Sequence, residues 1–231
     1  MTSRWIDIDT NDGNNFRGYL SLPPTGTGPG LVLIQEIWGV NSHIREVADQ
    51  YAKDGYVVLA PDVFWRMEPG ADLNYNETDT KKAFGFMQNL DFSLAVQDLT
   101  KAVATLRALP ECTGKVASLG FCMGGLLSYL CAANAGVDAA VCYYGGGIDK
   151  QLALADKVKC PILFHFAEKD HYITKDAVDA VKGVFGNAKN AVIEVYPGVD
   201  HGFNCWGRPS YNQKASAVAR GLSLSFLGKV L

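Results

Sequence analysis

Short runs of apolar residues recur along the chain, separated by longer segments in which apolar residues return every three or four positions. The central runs are apolar at consecutive positions, which is typical of parallel strands buried on both faces. The longer segments predict amphipathic helices, because their apolar residues fall on one stripe. The predicted strands are 30–35, 56–61, 115–120, 139–145, 161–167 and 191–198, and the predicted helices are 42–55 with a cap at Ser42, 91–109, 126 onward, 175–186 and 211–230.

The first forty residues follow a different pattern. Segments 4–10 and 16–24 alternate apolar and polar residues and are joined by the turn sequence NDGNN, which predicts an antiparallel hairpin at a sheet edge. The strand–helix repetition that follows predicts an α/β protein with a doubly wound, mostly parallel sheet. No internal repeat or low-complexity linker divides the chain, so we expect a single domain over residues 1–231.

Composition and charge limit the kinds of molecule that we expect this protein to bind. A net charge of −3 with scattered lysines and arginines gives no electrostatic footprint for nucleic acid or an anionic membrane. The N-terminal segment has no apolar region typical of a secretion signal, and no window is apolar enough to predict a membrane span. The six cysteines show no CxxC pair and no metal-ligand spacing, which favours a reducing cytoplasm and predicts neither a metal nor a cofactor.

The stretch Gly-Phe-Cys-Met-Gly at 120–124 carries the strongest chemical signal. A buried strand ends here and an apolar helix begins within a few residues, so glycines are needed for close strand–helix contact. The turn places Cys122 at a helix N-terminus, where unpaired N–H groups favour an anion and hence a thiolate nucleophile. The alternative is a small buried cysteine in a glycine-rich turn.

The partners of such a nucleophile follow in the order acid, then histidine, each on a loop after a strand. Asp170 follows the strand at 161–167, and His201 follows the strand at 191–198. His201 would act as the base, and Asp170 would orient its imidazole. Glu168 and His171 on the acid loop and Asp200 beside the base are rival candidates, whereas His165 lies inside an apolar strand and is expected in the core.

A third element follows the strand at 30–35. An oxyanion hole on this architecture takes one N–H from the residue after the nucleophile, Met123, and another from this early loop, where Ile37 is the candidate. Glu36 ends the same strand, where an unpaired carboxylate would be costly. It either forms a salt bridge, with Arg45 or Lys169 as candidates, or lies beside Cys122 and disfavours a thiolate there.

Together these stretches resemble the dienelactone hydrolase family of α/β-hydrolases. The matching segments are QEIWG, APDVF, GFCMGG, YYGGGI, EKDHY and DHGF, in this order, from about residue 15 onward. The resemblance implies an α/β-hydrolase fold, a nucleophilic Cys122, a general base His201 and an orienting Asp170. It also implies that Glu36 contacts the resting thiol and takes its proton when substrate binds. A monomer without a cofactor is the family-level expectation.

The family's best-known substrates carry a carboxylate that two arginines bind, and here the chain departs from the pattern. Lys81 or Lys82 stands where one arginine is expected, and Cys205 stands at the other position, with Arg208 three residues further on. Aromatic residues would complete a pocket for a small conjugated lactone or ester. These are Trp38, Tyr143, Tyr144, Phe203 and Trp206, of which Tyr143 is better explained as core.

The sequence therefore predicts a cysteine-dependent hydrolase of small lactones or esters that works through an acyl-thioester. Acyl transfer to an alcohol, or esterase or thioesterase activity on an uncharged substrate, stays open. A thiol redox sensor based on Cys122 is a rival from another class and would need a resolving cysteine such as Cys142 or Cys205. A non-catalytic binding module is a further hypothesis. It is disfavoured because Cys122, Asp170, His201 and Glu36 are all present.

Overall fold

The computed structural model describes residues 2–231, and its centre is an eight-stranded sheet with the order β1-β2-β4-β3-β5-β6-β7-β8. The strands are β1 Thr2–Asp9, β2 Asn15–Leu22, β3 Gly28–Ile34, β4 Val57–Pro61, β5 Cys112–Phe121, β6 Ala139–Tyr143, β7 Ile162–Ala167 and β8 Ala191–Tyr196. Strands β1 and β2 form an antiparallel hairpin, and β2 pairs antiparallel with β4. All other neighbouring strands are parallel.

Six α-helices cover the sheet. They are α1 Ser42–Lys53, α2 Glu77–Asn89, α3 Phe92–Ala108, α4 Met123–Asn134, α5 Lys175–Phe185 and α6 Gln213–Val230, and a 3-10 segment spans Ile148–Lys157. Helices α3 and α4 pack against each other over β3 and β5, whereas α1 packs on β2 and β4, and α6 packs on β6 and β7. No helix within residues 2–231 combines the length and apolar character that crossing a membrane requires.

The predicted α/β architecture, with a doubly wound, mostly parallel sheet and an N-terminal antiparallel hairpin, is confirmed. The boundaries differ by a few residues. Helix α1 is capped by Asn41 rather than Ser42, because the Asn41 side chain accepts a hydrogen bond from the Ile44 N–H at 3.2 Å. Its amide group also donates to the Leu73 carbonyl, which ties the helix start to the loop after β4.

The strand order has a topological switch point at β3. Strand β4 lies on one side of β3, and β5 lies on the other. In open parallel sheets the crevice at such a switch point, beyond the carboxyl ends of the strands, is the preferred place for a ligand. Glu36 and Ile37 follow β3, and Cys122 follows β5, so the fold brings both segments to this crevice.

The turn from β5 into α4 depends on glycine because backbone atoms surround it on three sides. A Cβ atom at Gly120 would lie 1.9 Å from the carbonyl oxygen of Gly124 in the same turn. At Gly124 it would lie 2.4 Å from the carbonyl oxygen of Gln35, and at Gly125 it would lie 2.4 Å from that of Tyr143. Contacts this short are sterically forbidden, so the turn touches β3 and β6 only with hydrogen at these positions.

We predict that Gly124→Ala lowers the free energy of unfolding by about 1–3 kcal/mol, because the new methyl group meets backbone atoms that cannot move independently. Gly221→Ala is the matched control. It lies within α6 with open space around it, and it should raise stability by about 0.5–1 kcal/mol through reduced unfolded-state freedom. Urea unfolding of both variants measures the effects, and equal changes in the two would contradict the packing argument.

Candidate active site

Cys122 occupies a strained backbone position between β5 and α4. Its φ angle is 58° and its ψ angle is −119°, a combination that L-residues rarely adopt, and it forms the N-cap of α4. Its N–H donates to the carbonyl of Tyr143 at 3.0 Å, which anchors the turn to β6. The side chain is only partly buried and faces a cavity. This geometry presents the sulfur atom to a ligand.

His201 and Asp170 form a buried pair beside this turn. The Nδ1 atom of His201 lies 2.8 Å from Oδ2 of Asp170, and both side chains are almost fully buried. The other carboxylate oxygen, Oδ1, accepts hydrogen bonds from the N–H groups of Tyr172 and Ile173 at 2.9 and 3.0 Å. Asp170 is therefore fixed by its own loop, and it fixes the ring of His201 in turn.

The electrostatics of His201 link it to Cys122. Burial lowers the pKa of His201, but the neighbouring Cys122 side chain and the hydrogen bond to Asp170 outweigh burial and raise this pKa above its usual value. Nε2 of His201 is buried without a hydrogen bond of good geometry, although the Cys122 thiol lies within interaction range. An imidazole placed in this way can exchange a proton with the sulfur or with a reacting group bound to it.

The rival acid and base residues have other partners. The carboxylate of Glu168 accepts the N–H of Gly198 at 2.7 Å. His171 pairs with Asp200 at 2.8 Å on the surface, where both side chains are substantially exposed. His165 is buried in the core between the hydroxyl groups of Tyr196 and Ser223, at 2.8 and 2.9 Å. Burial lowers its pKa to about 3, so it is a neutral hydrogen-bonding residue of the core.

Two backbone N–H groups are available for an oxyanion beside the sulfur. Ile37 follows β3, Met123 is the first residue of α4, and both residues line the cavity with Cys122. Neither N–H has a backbone or side-chain acceptor within residues 2–231. A helix N-terminus and an adjacent loop amide together form the type of donor pair that stabilises a tetrahedral oxyanion.

Glu36 forms a buried ion pair with Arg208, and neither Arg45 nor Lys169 is its partner. The Nη1 atom of Arg208 donates to Oε1 of Glu36 at 3.0 Å, whereas Arg45 pairs with Asp72 near the surface. Oε2 of Glu36 is buried and has no hydrogen-bond partner within residues 2–231. The charge of Glu36 is thus compensated, but one of its oxygens stays free to accept a proton.

The cavity in front of Cys122 has a volume of about 460 Å³, which suits a small organic molecule. One face of α2 contributes Thr80, Phe84 and Met87, which share a helix face because they are spaced by four and three residues. The remaining lining residues are Ile37, Trp38, Tyr75, Phe92, Cys122, Met123, Leu126, Gly146, Gly147, Lys150, Tyr172, His201, Arg208 and Pro209. The cavity is therefore mostly apolar, with its polar groups concentrated around the sulfur atom.

The predicted aromatic residues divide into lining and supporting positions. Trp38 lines the cavity, and the Arg208 guanidinium lies over its ring at 5.0 Å. Tyr144 and Phe203 are fully buried behind His201 and do not line the cavity. Trp206 is 37% exposed and packs on His43 instead. The structure therefore does not place these last three residues on the cavity wall, because Tyr144 and Phe203 pack in the core and Trp206 packs on His43.

Lys81 and Lys82 also lie outside the cavity. They follow Thr80 on α2 by one and two residues, which rotates them roughly 100° and 200° away from the lining face. Lys82 pairs with Glu68 at 2.6 Å on the surface. The prediction that one of these lysines faces the site is therefore not supported, whereas Arg208 does line the cavity.

Sequence reasoning missed Lys150, which lines the cavity from the 3-10 segment after β6. No motif pointed to it, because an irregular segment carries no periodicity that assigns a side chain to a face. It also missed the α2 face of Thr80, Phe84 and Met87, which the helical spacing within 77–89 would have revealed. Lys150 and Arg208 are the lysine and arginine side chains that line the cavity within residues 2–231.

A strained residue between strand and helix, followed along the chain by a buried pair of an aspartate and then a histidine, in a mostly parallel eight-stranded sheet, defines an α/β-hydrolase. More narrowly, residues 16–231 match the model of the dienelactone hydrolase family. The chain belongs to this family of carboxylic ester hydrolases.

Individual relatives agree with this assignment over their full length. Carboxymethylenebutenolidase 1 of Cupriavidus pinatubonensis is 34% identical, and the match covers 98% of this chain and 97% of that protein. Carboxymethylenebutenolidase of Pseudomonas sp. strain P51 is also 34% identical, with 100% of this chain and 97% of that protein covered. The dienelactone hydrolase-like promiscuous phosphotriesterase P91 from metagenomic libraries shares the fold, with a TM-score of 0.83, 24% identity and coverage of 99% and 98%.

We predict that Arg208→Ala lowers the free energy of unfolding by about 3–5 kcal/mol, because it leaves the Glu36 carboxylate buried without a counter-charge. Arg45→Ala removes the half-exposed pair with Asp72 and serves as the matched control, with an expected loss of about 1 kcal/mol or less. Chemical denaturation at neutral pH compares the two variants. A smaller loss for Arg208→Ala than for Arg45→Ala would show that Glu36 does not depend on this partner.

Proposed function

We propose that this protein hydrolyses small lactones or activated esters, with Cys122 as the nucleophile and a thioester as the intermediate. The observation that carries the proposal is the placement of Cys122 in a strained turn that faces a cavity shared with His201. A cysteine needed only for packing would not require an unfavourable backbone conformation at φ 58°. Cys122 also stands at the N-terminus of α4, and the imidazole of His201 lines the same cavity.

Glu36 is the proposed acceptor of the thiol proton. In the resting protein its Oε1 atom is bound by Arg208, and its Oε2 atom is buried and unpartnered. Arg208 and Cys122 line the same cavity, so the Glu36–Arg208 pair lies at the site. Transfer of the proton from sulfur to Oε2 when substrate binds would create the thiolate inside the cavity. This avoids a permanently charged sulfur, which would be prone to oxidation.

The reaction then proceeds in two stages. The sulfur attacks the carbonyl carbon, and the N–H groups of Ile37 and Met123 hold the resulting oxyanion. The bond to the leaving oxygen breaks, and the protonated imidazole of His201, which its raised pKa favours, gives that oxygen a proton and becomes neutral. Water, deprotonated by His201, attacks the thioester and releases the carboxylic acid and the thiolate. Asp170 keeps the imidazole in the orientation that both proton transfers require.

The cavity favours a small, flat and partly apolar acyl compound. Trp38, Phe84 and Phe92 supply aromatic walls, and a volume of about 460 Å³ holds a lactone or a short ester. An enolate leaves readily because its charge is delocalised, whereas a simple alkoxide does not. The enzyme should therefore discriminate in favour of enol or aryl esters over alkyl esters.

The setting that we propose is a reducing cytoplasm, in which a single-domain monomer works without a cofactor. All six cysteines are free thiols. Two of them, Cys131 and Cys142, are fully buried, where they act as small apolar side chains. A persistent thiol in each position fits a compartment that keeps cysteine reduced.

The central prediction concerns Cys122. Cys122→Ala should lower kcat/KM for an enol lactone by about a thousandfold or more, because the covalent route is lost. Wild-type activity on ethyl butyrate should stay well below that on the enol lactone. Steady-state kinetics with both substrates, and mass spectrometry of a quenched reaction for an acyl adduct on Cys122, provide the measurements.

Cys160→Ala is the matched control, because it removes a partly buried thiol away from the cavity and should leave the rate unchanged. Full activity in Cys122→Ala would refute the proposed nucleophile. The redox-sensor hypothesis would be favoured instead if the wild-type protein turned over neither substrate and formed a stable sulfenic acid at Cys122 after peroxide treatment.

A second prediction concerns the charge of the substrate. Arg208 is already paired with Glu36, so Lys150 contributes the uncompensated cation at the cavity. Lys150→Ala should lower kcat/KM for a carboxylated lactone about threefold to fivefold, as expected for a partly solvated ion pair, and should leave a neutral aryl ester unaffected. Lys81→Ala on the outer face of α2 should change neither rate. If Lys150→Ala lowered kcat/KM equally for both substrates, charge recognition by this residue would be contradicted.

A further inference from the structure

Behind the Glu36–Arg208 pair lies a compact cluster formed by Glu36, His43 and Cys205. A carboxylate oxygen, an imidazole nitrogen and the thiol sulfur all lie within 4.8 Å of one another. The three residues are 1%, 3% and 0% exposed. They come from the end of β3, from α1 and from the loop after β8, so sequence spacing gave no indication of the cluster.

Two members of the cluster have unused hydrogen-bonding atoms. Oε2 of Glu36 and Nδ1 of His43 are buried and have no partner within residues 2–231. The thiol of Cys205 lies 3.2 Å from the hydroxyl group of Tyr75, its one side-chain contact of this kind. Buried polar atoms without partners are costly, and two of them on residues whose ligand atoms lie this close together indicate a site that a further group satisfies.

The chemistry of these donors indicates what that ligand is. An imidazole nitrogen, a thiolate sulfur and a carboxylate oxygen form a mixed set that suits zinc, which favours four-coordinate sites with nitrogen and sulfur ligands. Three protein ligands leave the fourth position to water. We propose that Glu36, His43 and Cys205 bind one Zn²⁺ ion, in a site distinct from the Cys122 thiol.

Charge balance allows the site despite the nearby arginine. On binding, the Cys205 thiol releases its proton to solvent and the Zn–S bond forms, so the thiolate and the Glu36 carboxylate together neutralise the two charges of the ion. Arg208 contacts only Oε1 of Glu36, which leaves Oε2 for the metal. The guanidinium also lines the cavity and lies over Trp38, so it retains favourable contacts if it turns away from the ion.

The surroundings give the site an outer shell and a route to solvent. Tyr75 contacts Cys205 and also accepts a hydrogen bond from Asn41 at 3.2 Å, which would hold its hydroxyl beside the metal-bound sulfur. The ring of Trp206 packs on His43 with centroids 4.1 Å apart and is 37% exposed. A rotation of this one surface side chain would open His43 to solvent.

Zinc at this position would have a functional consequence that rests on the proposed function. Glu36 is the proposed acceptor of the thiol proton, so an ion bound to Oε2 would hold the hydrolase inactive. The binding itself is independent of catalysis and can be measured in an inactive protein.

The test uses full-length Cys122→Ala protein, in which the catalytic thiol cannot bind metal. Zn²⁺ alone is titrated in competition with a chromophoric chelator, and Co²⁺ alone is added as a spectroscopic probe of thiolate ligation. We expect one ion per chain and a sulfur-to-cobalt charge-transfer band. His43→Phe, which keeps an aromatic ring against Trp206, and Cys205→Ser should each weaken binding at least tenfold, and Cys205→Ser should abolish the band.

Matched controls come from the surface and from another thiol. His171→Phe removes the exposed histidine that pairs with Asp200, and Cys160→Ser removes a partly buried cysteine outside the cluster. Both should bind Zn²⁺ like the parent. No stoichiometric binding in the parent, or binding that survives His43→Phe and Cys205→Ser, would overturn the proposal. If His43→Phe fails to fold, His43→Gln replaces it, with the same outcomes.

Discussion

Close contact between the β5–α4 turn and the strands on either side of it is the constraint on which the site depends. Gly120, Gly124 and Gly125 allow backbone atoms to meet where any side chain would collide. This contact fixes where α4 begins, and it therefore fixes both the N–H of Met123 and the direction of the Cys122 side chain. The proposed nucleophile and one of the proposed oxyanion donors are thus set by the packing of the main chain rather than by side-chain contacts.

Charge is arranged around this rigid turn in two layers. The nearer layer is His201 with Asp170, in which the acid is held by two N–H groups of its own loop. The second layer is Glu36 with Arg208, a buried pair with one unused carboxylate oxygen. A buried ion pair adds little to stability compared with apolar packing, so its presence beside the cavity of Cys122 agrees with the proposed role of Glu36 as a proton acceptor.

The sequence predicted those parts of the site that the backbone determines. Cys122, Asp170 and His201 follow the parallel strands β5, β7 and β8, and carboxyl ends of parallel strands meet at one edge of a sheet, so their proximity follows from order along the chain. The partner of Glu36 was not predictable in this way. Arg208 lies in an irregular loop, and the reach of a long side chain depends on the path of that loop. The outward position of Lys82, by contrast, follows from helical spacing once Thr80, Phe84 and Met87 are assigned to the inner face of α2.

Within the β5–α4 turn, selection for chemistry acts on residue 122 and selection for folding acts on residue 124. Glycine adopts a φ of 58° without penalty, so replacement of the cysteine by glycine would relieve strain while removing the sulfur. Folding stability alone would therefore drive this position toward glycine over many generations, and only a need for chemistry would retain a reactive side chain. Gly124, two residues later, is maintained by folding whether or not the chain is an enzyme. Descendants that lose activity should thus drift at position 122 first and keep Gly124.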